Sequence, residues 1–540
     1  MRGVLVGRER ELSELHVLLA EHRLVTVAGG VGVGKSRLAA AAVARTRRDL
    51  WQRVVRVRWR DNRPAGAPQL IAAVFHAVTG TPPPRKALRA GVGEVAAELR
   101  SGDTLLFLDD IDPAHLACVG VVQKLLESVP SLRVLVAARR PLGLGDERVL
   151  RLRPLDVTRE GGCGDGPAPA VALFLDRAGM ADDGCDAPPD GVDLCLVADI
   201  CRSLDGLPLA IEMAAEQLAR HGIGRLAELL RRDQCWLAGP RASLRRHRSL
   251  RSAVGAAYEL CDRMERIVWA RSSVFAGAFD ESAAAFVCVG GSVEPQDVPA
   301  CLARLAATGV LEQTRDPGGP RRPRYRMTRA ARDFGAERLR EAGEADVAAE
   351  RHTVHCRRVA VVAENLWNSG GQPQAAELLQ DEQDDLRVML ERAVEQPGQT
   401  QEVLETVVNL WFWWVVYGKA DEGRRYLGRL LPRAPADRPV TVRALWLAAW
   451  LAACDDPRAA GGLLRRAWPA AVLLGDDAVI GRIAHVQGVL ALHEGDLAAA
   501  AQHFDEAAGL IPARAPGGPS PTVSLAALAV AQAGFAPRAA

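Results

Sequence analysis

The sequence predicts a multidomain chain with an α/β domain first, then a helical domain, a winged helix and an α-helical solenoid. Three observations predict this order. Strands alternate with helices up to about residue 155, a Gly/Pro-tipped hairpin follows helices near residue 316, and a repeat recurs after residue 410. The 540 residues also exceed a single core, since domains average about 100–200 residues.

Composition and charge are those of a globular protein. Hydrophobic residues make up 49% and charged residues 25% of the chain, which excludes wholesale disorder. The 68 basic and 66 acidic residues give a net charge of +2, so the chain as a whole is not built to bind polyanions. The basic residues are almost all arginine, a bias typical of a GC-rich genome.

Cysteine usage and apolar run length predict a cytoplasmic location. The 11 cysteines include no CxxC pair, which argues against a zinc ribbon or a disulfide framework. Arg8-Glu9-Arg10 interrupts the N-terminal region before a signal-peptide core is formed. The apolar run Val407–Tyr417 is too short to cross a bilayer, which needs about 20 residues. We therefore expect no membrane association.

The first domain is predicted at residues 1–155. Short apolar, β-branched runs mark its strands, and alanine-rich segments such as Leu38–Arg45 mark its helices. The predicted strands are Leu24–Ala28, Val54–Trp59, Thr104–Leu108 and Leu132–Val136. Strands that alternate with helices favour a parallel sheet covered on both faces.

Two smaller domains are predicted next. Helical segments at Ala170–Ala178, Val192–Ser203 and Leu207–Arg220 indicate a helical domain over residues 156–245. Residues 246–345 then combine helices with a hairpin, a combination that matches a winged helix. Its strands are predicted at Val310–Thr314 and Tyr325–Met327, around the turn Asp316–Pro320.

Residues 346–540 are predicted to form TPR-like helical repeats. Gly488, Gly495 and Phe504 fall at the spacings of a tetratricopeptide unit, and Ala448 begins a similar pattern 40 residues before Gly488. A weaker copy begins at Trp411, and a further copy begins near Val523. Because the sequence ends after about one more helix, we expect an incomplete last repeat, cut short or completed by a partner.

Residues 29–36 carry the strongest motif. Gly29-Gly-Val-Gly-Val-Gly-Lys-Ser36 fits G-x-x-x-x-G-K-[ST] between a predicted strand and a predicted helix. Such glycines let backbone N–H groups point at a β-phosphate, and the positive end of the next helix faces the same oxygens. Lys35 would reach the β- and γ-phosphate oxygens, and the Ser36 hydroxyl would bind Mg²⁺.

The alternative interpretation of this motif is a glycine-rich turn between a strand and a helix that binds no ligand. At this composition only about 0.003 chance matches are expected in the chain, which favours an α/β P-loop nucleotide-binding domain for ATP or ADP. The predicted nucleotide-binding residues of the loop are Gly29, Gly30, Val31, Gly32, Val33, Gly34, Lys35, Ser36 and Arg37.

Asp109 and Asp110 follow a predicted buried strand. A strand of that kind delivers carboxylates to the edge of the sheet where a metal would lie. Asp109 would hold Mg²⁺, mostly through water, and Asp110 would polarise the attacking water. The alternative is an Asp-rich turn, which Asp112-Pro113 also suggests.

Taken together, several motifs resemble a known family. They are Val6-Gly-Arg-Glu9, the P-loop, Asp109-Asp110, Ala138-Arg139-Arg-Pro-Leu-Gly-Leu144 and Cys201-Arg-Ser-Leu-Asp-Gly-Leu-Pro-Leu-Ala-Ile-Glu212. In this order they resemble the STAND class of signal-transduction ATPases, in its NB-ARC branch, and most closely actinobacterial regulators of the AfsR and large-LuxR type. The resemblance spans about residues 4–345 and extends into the repeats at Glu382–Leu390 and Trp411–Leu431.

The resemblance implies further roles. Val6 and Arg8 would line the adenine and ribose, Arg139 would sense the γ-phosphate, and Pro208 would pack on the base. With Lys35 and Asp110, Arg139 would then complete the catalytic set. The alternatives are a solvated strand end for Arg139 and a helix-start proline for Pro208.

The chain departs from this family at two places. Ala137-Ala138 stands where relatives carry Thr-Ser, so a hydroxyl contact to phosphate is lost. Met327-Thr-Arg-Ala-Ala331 stands where relatives have a segment that closes on bound ADP. These departures argue against ATP hydrolysis more than against nucleotide binding. The second also implies that the segment holds bound ADP less tightly.

Three other clusters have a competing interpretation. The hairpin arginines would suit DNA phosphates, but the family uses its winged helix as an internal lever, so only weak or indirect DNA contact is expected. These arginines are Arg315, Arg321, Arg322, Arg324 and Arg326. The aromatic run Trp411–Trp414 is interpreted as core. His352, His355 and Cys356 lack further ligands, so no metal is assigned to them.

The resulting hypothesis is an ATP/ADP-dependent switch with slow hydrolysis. A protein partner or small-molecule signal on the repeats would prompt exchange of ADP for ATP, followed by self-association and, by family analogy, control of transcription. One alternative is an interaction scaffold with an inactive nucleotide site. Another is an immune-type oligomerising sensor.

Overall fold

The computed structural model describes residues 5–46, 51–59, 66–82, 91–158, 167–180, 193–232, 249–314, 322–396, 398–513 and 515–533. They form two compact units. Unit 1 comprises Met1–Val274 and Asp280–Ala345, and unit 2 comprises Phe275–Phe279 and Asp346–Ala540. Among the described helices, none has a stretch both long and apolar enough to span a lipid bilayer.

Unit 1 contains a parallel five-stranded sheet. The strands are β1 (Leu24–Gly29), β2 (Arg53–Arg58), β3 (Thr104–Asp109), β4 (Arg133–Ala138) and β5 (Glu147–Leu152), in the order β2-β3-β4-β1-β5. All four neighbouring pairs are parallel, which confirms the predicted α/β sheet. Both Thr26 of β1 and Leu108 of β3 lie opposite Val136 of β4, so β1 and β3 end at the same edge.

Helices cover both faces of this sheet. Alternate strand residues point to opposite faces, so Leu105 and Phe107 pack on one side while Leu106 and Leu108 pack on the other. The first side is covered by α1 (Glu9–Glu21) and α2 (Lys35–Thr46). The second is covered by α3 (Ala67–Thr79), α4 (Val92–Leu99) and α5 (His115–Ser128).

Helices continue unit 1 beyond the sheet. They are α6 (Pro169–Ala178), α7 (Leu194–Ser203), α8 (Pro208–His221) and α9 (Ile223–Arg232), and the first three confirm helices predicted from the sequence. After them come α10 (Leu250–Glu259), α11 (Arg263–Ser272), α12 (Glu281–Cys288), α13 (Val298–Ala307), β7 (Leu311–Thr314), β8 (Arg324–Met327) and α14 (Arg329–Glu341). Between α11 and α12 lies β6 (Ala278–Asp280), whose first two residues belong to unit 2.

Residues 249–345 include an antiparallel hairpin and a buried tryptophan that joins two helices. Leu311 pairs with Met327 and Thr314 with Arg324, which confirms the predicted strand pair. Its turn, Asp316–Pro320, lies outside the described residues. Trp269 on α11 is fully buried and donates its indole N–H to the Ala331 carbonyl at 2.9 Å. This bond holds α11 against α14.

Unit 2 is built from helices after its first five residues. They are α15 (Ala345–Asn368), α16 (Gln372–Glu395), α17 (Thr400–Asn409), α18 (Trp411–Val416), α19 (Ala420–Leu430), α20 (Pro439–Ala452), α21 (Pro457–Leu474), α22 (Asp477–Glu494), α23 (Leu497–Leu510) and α24 (Pro521–Ala533). Trp411, Phe412, Trp413 and Trp414 are buried in its core, which confirms their interpretation as core residues.

A buried polar cluster holds the segment Phe275–Phe279 within unit 2. Asp385 is inaccessible to solvent and accepts hydrogen bonds from Ala276 N at 2.8 Å and Gly277 N at 3.3 Å. His352 Nε2 lies 2.8 Å from the Asp385 carboxylate, and the ring of Phe275 lies edge-on to His352. A single carboxylate on α16 therefore fixes both the inserted segment and a histidine of α15.

Candidate functional site

The P-loop, Gly29–Ser36, joins β1 to α2 at the carboxyl edge of the sheet. Lys35, at the start of α2, donates from Nζ to the carbonyls of Gly29 at 2.9 Å and Gly30 at 2.7 Å. Burial lowers the pKa of Lys35 to about 8, an effect opposed by Asp112 and reinforced by Arg139. The loop thus encloses the Lys35 ammonium group, and nearby charged side chains shift its pKa.

Helix α8 packs against the P-loop. Leu209 N donates to the Gly32 carbonyl at 3.1 Å, and Arg37 on α2 forms an ion pair with Glu212 on α8. Pro208 is the first residue of α8, as expected of a proline whose ring cannot donate a backbone hydrogen bond. The loop and the start of α8 are therefore positioned together.

Asp109 is buried at the end of β3 and lies among arginines of β2. Its Oδ2 accepts a hydrogen bond from Arg56 Nη2 at 2.6 Å and lies 3.6 Å from Arg58 Nε. Its Oδ1 is also buried and has no hydrogen-bond partner within the described part of the chain. Such an orphaned oxygen fits a water-mediated contact to Mg²⁺.

Asp110 has a backbone conformation that non-glycine residues rarely adopt. Its φ is +62°, and its backbone N–H donates to the Ala137 carbonyl at 3.2 Å. A left-handed residue costs about 1–3 kcal/mol and persists where the surroundings hold it, often at functional sites. The turn after β3 is therefore fixed against β4, with the Asp110 side chain near Arg58.

Arg139 follows β4 and is held by an aspartate. Asp112 accepts a hydrogen bond from the Arg139 backbone N–H at 2.7 Å, and its carboxylate lies 3.4 Å from Arg139 Nε. The side chain of Arg139 is only 11% exposed, so it is not a solvated strand end. It faces a cavity beside the P-loop.

Arg8 and Val6 lie before α1. The buried Arg8 guanidinium donates to the carbonyls of Arg153 and, at 3.5 Å, Val33, and it pairs with Glu11. Val6 is half-buried. Arg8 thus connects the start of α1 to the P-loop and to the residue that follows β5.

A cavity of about 440 Å³ lies beside the P-loop, within the size range of small-molecule sites. Arg139 and Arg151 supply positive charge, while Leu207, Val254 and Trp269 supply apolar surface. Its lining also includes Ala28–Val31 from the end of β1 into the loop, Leu152–Pro154 at the end of β5, part of Ala303–Leu311, and Thr328. The cavity combines cationic and apolar walls, as a nucleotide requires.

Gly309, in the turn between α13 and β7, touches the P-loop directly. A Cβ atom on Gly309 would lie 2.3 Å from Gly30 Cα and 2.5 Å from Gly30 N, and its φ is +70°. Neither the contact nor the backbone conformation therefore tolerates a side chain. The turn is seated on the loop by backbone alone.

Asp205 ties the segment before α8 to the hairpin. It accepts hydrogen bonds from Arg326 Nη2 at 2.9 Å and from Arg329 N at 2.5 Å. Arg322 bonds to Ser282, so two of the hairpin arginines have partners within unit 1. Arg315 and Arg321 lie outside the described residues. The hairpin is thereby joined to the elements that position the P-loop.

Several residues of the site were not found from sequence. Asp112 was interpreted only as a turn signal, and no signal singled out Arg56, Arg58 or Gly309, because arginine and glycine abound in this chain. The P-loop, Asp109 and Arg139, which were singled out from the sequence, follow three neighbouring strands and lie at the same edge of the sheet in the structure.

Comparisons with known proteins extend over most of the chain. It is 29% identical over 513 residues to a Mycobacterium tuberculosis protein named "Putative HTH-type transcriptional regulator Rv0890c"; the match covers 92% of this chain and 54% of that relative. It is 30% identical over 359 residues to "Uncharacterized protein Rv0894" of the same organism, covering 65% of this chain and 86% of that relative.

A STAND protein with a tetratricopeptide repeat sensor from Pyrococcus horikoshii is among the similar solved structures. Its identity is 14%, its TM-score is 0.26, and the match covers 98% of this chain and 80% of that one. No protein-family model matches the chain. The mycobacterial relatives confirm the resemblance to large actinobacterial regulators, and the chain belongs to the same family as the Mycobacterium tuberculosis protein Rv0894.

Proposed function

We propose that this chain is an ATP/ADP-binding switch of the STAND class, with slow hydrolysis as its reset. The observation that carries the proposal is the cavity beside the P-loop, which is walled by Arg139 and closed by the turn at Gly309. A nucleotide there would place its phosphates at Gly29–Ser36. Its base would lie toward the apolar wall near Leu207 and Pro208.

Charges around the loop suit a triphosphate. Lys35 would exchange its carbonyl partners for phosphate oxygens, and Arg139 would sense a γ-phosphate at the cost of its contact with Asp112. Ser36 and Asp109 would hold Mg²⁺, which neutralises phosphate charge when bound. Asp110 would orient water for slow hydrolysis, with its strained turn fixing the carboxylate.

The winged helix predicted at residues 246–345 acts as the lever in this proposal. In the closed arrangement it rests on the P-loop through Gly309 and on the segment before α8 through Asp205. Thr328, within the segment where relatives close on ADP, lines the same cavity. Release of these contacts would accompany exchange and free the surface for self-association.

The repeats serve as the sensor, and the output is control of transcription. One relative, of which this chain covers 54%, is named as an HTH-type regulator, which supports this output. TPR-like helix pairs in unit 2 would bind a protein partner or a small-molecule signal. DNA contact through the hairpin is disfavoured, because Arg322 and Arg326 bond within unit 1.

Replacing Lys35 by alanine is expected to abolish nucleotide retention. Purified wild-type protein should release stoichiometric ADP on denaturation, measured by chromatography, because a ligand at about 1,000 times its Kd stabilises by about 4 kcal/mol. Lys124→Ala, which removes an exposed lysine from α5, is the matched control and should retain ADP. Wild-type protein that holds no nucleotide and ignores added Mg-ATP would favour the scaffold instead.

Nucleotide affinity should fall as the pH rises above about 8. The pKa of Lys35 is lowered to about 8, so the free protein loses this charge above that pH, whereas bound phosphates favour the charged form. The Kd for a fluorescent ATP analogue should therefore rise about fifteenfold between pH 8 and 9.5. Lys35→Arg, which stays charged, should give a flat profile. A flat profile in wild-type protein would contradict the assignment.

A further inference from the structure

A short segment between α23 and α24 lies inside unit 2. It includes Ala515-Pro-Gly-Gly-Pro-Ser520, and Gly517, Gly518 and Pro519 are buried. Connecting segments normally run over the surface, because buried backbone groups need hydrogen-bond partners from the protein. The surrounding helices must therefore supply partners to this segment.

Two buried charged side chains bind the backbone of the segment. The Glu364 carboxylate on α15 accepts a hydrogen bond from Gly517 N. Arg482 Nη2 on α22 donates to the Ala515 carbonyl at 2.8 Å, and only 1% of Arg482 is exposed. Burial raises the pKa of Glu364 and lowers that of Arg482 to about 10. These contacts recognise an N–H and a C=O, which any peptide offers.

Arg482 also leaves no space for a side chain at Gly518. A Cβ atom on Gly518 would lie 2.3 Å from Arg482 Nε and 2.5 Å from its Cζ. At Gly517 the φ of +75° favours glycine, and a Cβ atom there would lie 3.2 Å from Arg443 Nη1. Arg482 Nε has no hydrogen-bond acceptor within the described part of the chain, so it can bind one more acceptor of an occupant.

The contacts come from four different helices of unit 2. Glu364 lies on α15, Val408 on α17, Arg443 on α20 and Arg482 on α22, so the segment crosses a face that these helices share. We call this shared face, defined by Glu364, Val408, Arg443 and Arg482, the groove. Helical-repeat proteins use such extended faces to bind ligands.

We propose that the groove is a binding site for a Gly-Gly peptide segment of a protein partner, and that residues 515–520 occupy it as an internal competitor. Charged groups that read only backbone, together with the exclusion of side chains, define the ligand class. A tethered competitor acts at a local concentration of about millimolar, so a partner binds only when it displaces the segment. The inference goes beyond the nucleotide switch and does not depend on it.

Displacing the internal segment should expose the groove. The probe is a fluorescent peptide with the sequence Ala-Pro-Gly-Gly-Pro-Ser and blocked ends, and its binding to the full chain is followed by anisotropy. Gly518→Val, which clashes with Arg482, should bind it at least tenfold more tightly than wild type. Gly509→Val, on an exposed part of α23 with open space at Cβ, is the matched control and should bind like wild type.

Two further variants keep the test decisive. Gly517→Val is the second displacing variant, because its Cβ atom would lie 3.2 Å from Arg443 Nη1 and the φ of +75° disfavours a β-branched residue. It serves if circular dichroism shows that Gly518→Val does not fold. Adding Glu364→Leu, which removes the hydrogen-bond acceptor, to the displaced variant should reverse the gain in affinity.

Three results would overturn the proposal. The first is equal peptide affinity in wild type and displaced variants. The second is equal binding of an Ala-Pro-Ala-Ala-Pro-Ser peptide. The third is dimerisation of Gly518→Val that free peptide abolishes, because it would assign the occupant to a second copy of this chain.

Discussion

Gly309→Ala is expected to accelerate nucleotide release at least tenfold. The added methyl group would lie 2.3 Å from Gly30 Cα, and backbone cannot yield as a flexible side chain does. The turn between α13 and β7 must then leave the P-loop and open one wall of the cavity. Tenfold corresponds to about 1.4 kcal/mol, less than the strain of such an overlap. A chase of bound fluorescent ADP with excess ADP measures the rate.

Gly343→Ala is the matched control for this experiment. Gly343 has nearly the same left-handed backbone, with a φ of +69°, but open space around its Cβ position. Both variants therefore bear the conformational cost of about 1–2 kcal/mol, and only Gly309→Ala adds the clash. Equal release rates in the two variants would show that the turn does not close the nucleotide site.

Asp385→Ala is expected to destabilise unit 2 by about 3–5 kcal/mol. The substitution leaves the backbone N–H groups of Ala276 and Gly277 and the ring of His352 without their buried acceptor. Asp384→Ala removes the same group from the adjacent, exposed position, and its effect should stay within about 0.5 kcal/mol.

Urea unfolding followed by tryptophan fluorescence measures both aspartate variants. Seven of the 11 tryptophans lie between residues 346 and 540, so the signal reports mainly on unit 2. A lower midpoint for Asp385→Ala with an unchanged one for Asp384→Ala is the expected result. Equal midpoints for the two variants would remove the structural role of the carboxylate.

The parallel sheet was predictable because its signals are local. A run of apolar residues ending in glycines defines β1 within a few residues, and the P-loop motif predicts both the turn after β1 and the start of α2. β5 was missed because Glu147-Arg-Val-Leu-Arg-Leu152 mixes charged and apolar residues without regular alternation, and four of its six residues are not buried at the edge of the sheet. An edge strand of this kind resembles a polar loop in sequence.

The contacts that complete the candidate site are non-local. Gly309 meets Gly30 only after the chain has folded through α13, and nothing in its neighbours distinguishes it among 50 glycines. Asp112 and Arg139 become partners because β3 and β4 are adjacent in the sheet. Strand order therefore decides these pairs. The assignment of nucleotide roles to these residues and the bounds of the four domains stay predictions.

The inserted segment Phe275–Phe279 limits how this chain can be cut or recombined. The polypeptide enters unit 2, leaves it again, and returns at Asp346, so a fragment that starts at Asp346 lacks five residues of its own core. In such a fragment Asp385 would face no Ala276 or Gly277 amide. A homologue that acquired new repeats by a single crossover near residue 345 would inherit the same mismatch. The repeats and the segment after α11 must therefore be inherited as one piece.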